Sequence, residues 1–143
     1  ECDWDFVACE GNEVVQLQIE DQYERRSLPS EIGVLTNLKS LELVSILLTG
    51  TLPDSWRNLT NLETLDLSLN RIVGSIPTSL FELSALRRLS LEGNQLEGEI
   101  DEKVGELSQL QYLNLQRNKL GGKLPSSIGL LYQLDFIHLD DND

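Results

Sequence analysis

Apolar and polar positions alternate along this chain in blocks that repeat every 24 residues. Leu38, Leu62, Leu86, Leu110 and Leu134 are each 24 apart, without insertion or deletion, and one further step back reaches Val14. Each block reads like Leu62-x-x-Leu65-x-Leu67-x-x-Asn70-x-Ile72-x-Gly74-x-Ile76-Pro77. The Leu-x-Leu alternation has the period of a short strand with one buried face. The strands predicted from it are parallel, one per block. Leu41, Leu65, Leu89 and Leu113 point inward, as do Leu43, Leu67, Leu91 and Leu115. On the opposite side Leu59, Leu83, Leu107 and Leu131 complete the core, with Ile32, Trp56, Leu80, Val104 and Ile128. One such block cannot bury its own apolar side, so blocks must stack into a solenoid.

A period of this length carrying L-x-x-L-x-L-x-x-N resembles leucine-rich repeats. The continuation Arg71-Ile72-Val73-Gly74-Ser75-Ile76-Pro77 is similar to the plant-type subclass of receptor-kinase ectodomains, receptor-like proteins and secreted polygalacturonase inhibitors. Similar repeats occur in some algal and diatom proteins. The resemblance implies an α/β solenoid, a right-handed superhelix with a parallel sheet on the concave face. Short 3-10 or irregular helical segments then cover the convex face. It divides the chain into an N-terminal cap, residues 1–13, and a solenoid, residues 14–143. Five units begin at residues 14, 38, 62, 86 and 110, and a partial sixth at 134.

The cap assignment rests on Cys2-Asp3-Trp4-Asp5-Phe6-Val7-Ala8-Cys9, which resembles the family's C-x-W-x-G-V-x-C with Phe6 in place of glycine. The resemblance implies a Cys2–Cys9 disulfide, with Trp4, Phe6 and Val7 covering the first coil. Two buried free thiols are the alternative. A disulfide places the protein in an oxidising compartment, secreted or lumenal.

The repeat also assigns the bends. Asn70, Asn94, Asn118 and Asn142 are expected to turn inward and bond backbone groups, because a buried amide needs partners. Gly50, Gly74, Gly98 and Gly122 follow them, and Pro29, Pro53, Pro77 and Pro125 open the convex segments. Departures cluster in the first units: Gln22 and Ile46 replace the ladder asparagine, and Arg26 replaces the glycine. Asp101 stands where the fourth unit should carry proline. The polar stretch at residues 21–26 is read as an atypical terminal repeat rather than a binding loop.

Function is therefore sought in the outward columns. The first presents Gln16, Ser40, Thr64, Arg88, Tyr112 and Phe136; the central one Gln18, Glu42, Asp66, Ser90, Asn114 and His138. The third presents Glu20, Val44, Ser68, Glu92, Gln116 and Asp140. Gln18, Glu20, Glu42 and Asp66 make one half acidic, whereas the other half is aromatic and cationic. Aromatic side chains and arginine are the usual anchors of interfaces. The candidate ligand-binding residues are accordingly Arg88, Tyr112, Asn114, Phe136 and His138, together with Glu42 and Asp66. Tyr112 beside Phe136 is equally readable as cross-strand packing that stabilises the sheet.

Composition narrows the function classes. Eleven basic against 24 acidic residues give a net charge of −13, the opposite of a nucleic-acid binder. That charge suits a basic partner or serves solubility. His138 is the sole histidine. No metal spacing, phosphate-cradling loop or activated nucleophile accompanies it, so no enzyme activity, cofactor or metal is expected. Glu42 and Asp66 are too few for a calcium cage. Asp140-Asp141-Asn142-Asp143 lacks the remainder of an EF-hand loop. No apolar run approaches the ~20 residues of a membrane helix. Asn58-Leu59-Thr60 is the one glycosylation sequon, on the convex side.

The chain contains no Met and starts at Glu1, which reads as a processed or truncated product. Residues 134–143 open a sixth unit, so that end is expected to be covered by further chain or a partner subunit. Two functions remain: recognition of a protein or peptide across the concave face, or a structural subunit docked in a larger extracellular or lumenal complex. No outward column supplies the regular threonine or asparagine array that ice binding needs.

Overall fold

A computed structural model of the chain describes residues 6–20 and 27–143, Glu20 by its backbone only. Cys2, Trp4, Gln22 and Arg26, with the rest of 21–26, lie outside the described residues.

Strands β1 (Val7–Glu10) and β2 (Glu13–Glu20) form an antiparallel hairpin, and every later pairing is parallel. The sheet continues through β3 (Ser40–Val44) and β5 (Thr64–Asp66) to β7 (Arg88–Ser90), β9 (Tyr112–Asn114) and β11 (Phe136–His138). Its register pairs residues 24 apart, as in Leu41 with Leu65 and Leu65 with Leu89. A second parallel sheet runs along the flank: β4 (Thr49–Gly50), β6 (Arg71–Gly74), β8 (Gln95–Glu99) and β10 (Lys119–Gly121). The leucine pattern alone did not reveal it. Five 3-10 turns line the other side, η1 (Ser30–Val34), η2 (Asp54–Asn58), η3 (Thr78–Glu82), η4 (Glu102–Glu106) and η5 (Ser126–Leu130).

The two inward leucines of each inner strand are 0–3% exposed from Leu41 to Leu115. Leu59, Leu83 and Leu107 are fully buried, and Trp56 packs with them while its indole N–H reaches the Pro29 carbonyl at 3.4 Å. Phe81 joins this core at 1% exposure. Its column otherwise holds Gly33, Arg57, Gly105 and Gly129, so periodicity gave no sign of it.

The asparagine ladder forms as expected. Asn94 Oδ1 accepts from Ile72 N–H at 3.0 Å, and its Nδ2 donates to the Leu67, Leu91 and Glu92 carbonyls. Asn70, Asn118 and Asn142 repeat the arrangement. Each amide thus fastens its own bend to that of the preceding coil. In the second unit Ile46 fills the ladder position as an apolar side chain, 5% exposed. Leu47 there adopts a left-handed φ of 57°. The N–H groups of Ile46 and Leu48 both donate to Asn70 Oδ1. Gly50, Gly74, Gly98 and Gly122 have φ between 79° and 88°, where a side chain would be strained.

Pro29, Pro53, Pro77 and Pro125 do precede the 3-10 turns. Asp101 replaces proline with a side-chain cap, its carboxylate accepting from Lys103 N–H at 2.8 Å. Phe6 does not cover the first coil as expected. Its side chain is 49% exposed and its carbonyl accepts from Gln18 N–H. The hairpin backbone, rather than that ring, extends the sheet. Cys9 lies on β1 and is not a free thiol.

Replacing Asn94 by Ala leaves a buried N–H and several carbonyls without partners, each costing ~1–3 kcal/mol. The expected loss is about 3 kcal/mol in urea unfolding. A loss below ~1 kcal/mol would show that water substitutes for the amide. Glu102, exposed on η4, accepts from the backbone N–H groups of Ser127 and Ser126 at the start of η5, at 2.9 and 3.0 Å. Those bonds, Ser127 first, hold its carboxyl below the usual 4.5. A carboxyl lowered by folding stabilises the ionised, folded form above its unfolded pKa. That stabilisation disappears as pH falls through the lowered, folded pKa. The melting-temperature gap between wild type and Glu102→Gln should stay constant from neutrality to about pH 5 and close below it.

Candidate functional site

The concave face is built from the outward residues of the inner strands. Parallel pairing at a constant 24-residue offset brings each column into line. Gln16, Ser40, Thr64, Arg88, Tyr112 and Phe136 are successive register partners. So are Gln18, Glu42, Asp66, Ser90, Asn114 and His138.

Five side chains make a continuous chain of contacts across β5, β7, β9 and β11. The Arg88 guanidinium lies over the Tyr112 ring, 4.1 Å from its centroid, and 3.6 Å from Asp66 Oδ2. The Tyr112 ring meets Phe136 at 6.3 Å and His138 at 5.8 Å between centroids, both tilted by about 50°. Tilted rings at this spacing attract one another, and an exposed cation–π contact contributes ~0.5–1 kcal/mol. Phe136 nevertheless remains 60% exposed. Cross-strand packing therefore accounts for part of that ring and leaves more than half of it exposed.

The carboxylates differ in how they are held. Asp66 Oδ1 accepts from the Ser68 N–H at 3.0 Å and hydroxyl at 2.5 Å, while its other oxygen faces Arg88. Its side chain is only 14% exposed. Glu42 accepts from the Ser40 hydroxyl at 2.8 Å. Asp66 and Glu42 are register neighbours, yet Asp66 is engaged by a cation and two donors. The two do not form a free acid–base pair.

Asn114 occupies the expected column but is 3% exposed. Its Nδ2 donates to Glu92 Oε2 at 2.9 Å and to the Tyr112 hydroxyl at 3.3 Å, and its Oδ1 accepts from Gln116 N–H. Asn114 therefore positions Tyr112 rather than meeting solvent. Ser68 and Ser90 are also sunk, at 7% and 2%, with their hydroxyls 2.7 Å apart. Glu92 ties this floor to Arg117 at 3.4 Å. Reading by column missed Glu92, Ser68 and Ser90 as organisers of the face. The signal available was the run of short polar residues at its centre.

Asn58 is exposed at the end of η2, on the side opposite the inner strands, with Leu59 buried behind it. The last coil is less covered than its predecessors: Leu134 and Leu139 are half-buried and Ile137 is 41% exposed. Among the described residues, no group of three or more His, Cys, Asp and Glu side chains is placed to hold a metal ion. No helix there is long and apolar enough to cross a membrane.

These features define a leucine-rich repeat solenoid with a furnished concave face. Family models described as leucine rich repeat match residues 36–96 and 109–131. The LRR ectodomain of the receptor kinase SOBIR1 from Arabidopsis thaliana is 30% identical over 99% of this chain and 83% of its own, with a TM-score of 0.92. The chain belongs to the leucine-rich repeat family, in the plant type found in extracellular receptor ectodomains. The plant peptide hormone receptor RGFR1, solved in complex with RGF2, is 41% identical over 99% of this chain, with a TM-score of 0.92. The Arabidopsis thaliana receptor kinase GASSHO1/SCHENGEN3, solved with CASPARIAN STRIP INTEGRITY FACTOR 2, is 35% identical over 99%, with a TM-score of 0.93. This chain spans 22% and 17% of those two receptor chains. Among curated proteins, none matches the chain in sequence.

Proposed function

We propose that this chain is a non-enzymatic recognition module that binds a peptide or protein segment across its concave face. The observation that carries this reading is the exposed Phe136 ring beside Tyr112, which also meets His138 and Arg88, on a register-aligned sheet. Exposed aromatic rings beside a stacked arginine have the composition of an interface centre. Solved relatives of the same repeat type, a plant peptide hormone receptor and a receptor kinase, were captured with RGF2 and with CASPARIAN STRIP INTEGRITY FACTOR 2. Glu42 and Asp66 form the acidic margin of the same face and favour a basic partner. We place the module outside the cell or in an oxidising lumen, with Cys2 and Cys9 bridged. A glycan on Asn58 would leave the concave face clear.

A second reading, a structural subunit docked through its last coil, draws on a different surface. Leu124, Leu130, Tyr132 and Ile137 are 57%, 54%, 86% and 41% exposed there. Amide exchange at residues 134–139 equal to that at 110–115, in a monomeric sample, would remove its support.

For the concave reading the probe is a set of peptides selected on the intact chain from a random displayed library. Tyr112→Ala or Phe136→Ala should cost more than ~1 kcal/mol of affinity for them. Unchanged binding by both variants would overturn the assignment. Reducing the protein should lower its stability by roughly 2–3 kcal/mol, the scale for a disulfide closing so short a loop. Free alkylation of both thiols in native protein would overturn the bridge and the compartment inferred from it.

A further inference from the structure

The three acidic positions on the concave face with described contacts are not equivalent. Asp66 faces Arg88 at 3.6 Å and Glu92 faces Arg117 at 3.4 Å. Glu42 has only the Ser40 hydroxyl, and among the described residues no cation pairs with it. It is half-buried on β3, so its charge is partly desolvated and, among the described residues, uncompensated. At the other end of the face Phe136 on β11 is 60% exposed, with the Tyr112 ring beside it and His138 against that ring. Between the two ends the central and third columns are low, while Arg88, stacked on Tyr112, stands in the column of Phe136. Ser68, Ser90 and Asn114 are 7%, 2% and 3% exposed, and their polar groups are already bonded to one another or to neighbours.

β3 and β11 are four strand steps apart in the sheet order, about 19 Å at ~4.8 Å per step, and Glu42 lies two residues beyond Ser40, the register position of Phe136, so the diagonal is about 20 Å. An extended peptide rises ~3.3 Å per residue, so about six residues cover that span. Six is even. Side chains of an extended strand alternate faces, so residues i and i+6 point the same way. The same alternation turns i+2 and i+4 toward the strip beside Arg88 and Tyr112, whose side chains leave space there for small residues.

Resting on the concave-face reading, we propose that the ligand is an extended segment with a lysine or arginine over Glu42 and an aromatic side chain against Phe136, six positions apart. Small residues occupy the two inward positions between them. The carboxylate, which meets no cation among the described residues, selects the basic residue, and the exposed ring selects the aromatic anchor. Arg88 does not select an acidic residue, because Asp66 and the Tyr112 ring already occupy its charge.

The test uses the intact chain and a phage library displaying random decapeptides. Selected sequences should be enriched in a basic and an aromatic residue at spacing six, and Glu42→Gln should weaken them at least about tenfold. Glu42→Lys, selected afresh, should replace the basic residue by Asp or Glu while keeping the aromatic. Binders that lose affinity in Phe136→Ala but show no basic preference, or are indifferent to both Glu42 variants, overturn this ligand chemistry while the concave site stands. Binders indifferent to Phe136→Ala, Tyr112→Ala and Glu42→Gln alike, or a library that yields no binders, overturn the site itself.

Discussion

Each coil must turn from its inner strand to the flank while packed between two others, and at that turn its backbone amides face an apolar interior. A bend in which water is absent and no ladder partner exists would leave several N–H and C=O groups unpaired, at a cost comparable to a small domain's whole stability. The buried asparagine amides meet this constraint, since one carboxamide offers two donors and an acceptor in a fixed plane. Asn70, Asn94, Asn118 and Asn142 each bind carbonyls of two coils at once. Because the bend is fixed, the strand before it starts at the same register in every coil. The concave columns are straight for that reason.

The concave face is the part of the molecule left free by this framework. Its inward positions are committed to leucine, its bends to asparagine and glycine, and only the outward positions vary from coil to coil. The outcome is a graded surface: carboxylates toward β3 and β5, a sunken polar centre, and rings toward β9 and β11. Arg88 joins the first and last of these through its contacts with Asp66 and Tyr112. The surface is thus ordered before anything meets it, and little entropy is lost in arranging it.

Much of this was legible in the residues because the period is constant. Once Leu41 is inward, Leu65 and Leu89 must be, and the columns and ladder follow from counting. What counting does not supply is the height of a side chain above the sheet. Asn114 and Ser90 share a column with Glu42, yet their short side chains sink between neighbours and bond there. Nor does it supply bonds between backbone groups of successive flanks, so the second sheet through β6 and β8 went unread. Phe81 was missed because its column elsewhere holds glycine or arginine. Ile46 looked like a broken ladder position. The left-handed Leu47 and the second acceptor contact of Asn70 show how the bend survives without the amide. Residue Asp101 was likewise legible as a departure but not as a cap, since capping depends on where Lys103 N–H points.

The ladder also has a direction. The acceptor oxygen that holds Leu48 N–H belongs to Asn70, the one that holds Ile72 N–H to Asn94, and the one that holds Leu96 N–H to Asn118. A flank is thus completed by residues synthesised 22 positions later. During translation, where N-terminal parts fold first, a coil emerging from the ribosome stays provisional until the next bend arrives. Maturation of this solenoid accordingly trails synthesis by about one coil, and each new asparagine acts as a latch on the coil made before it.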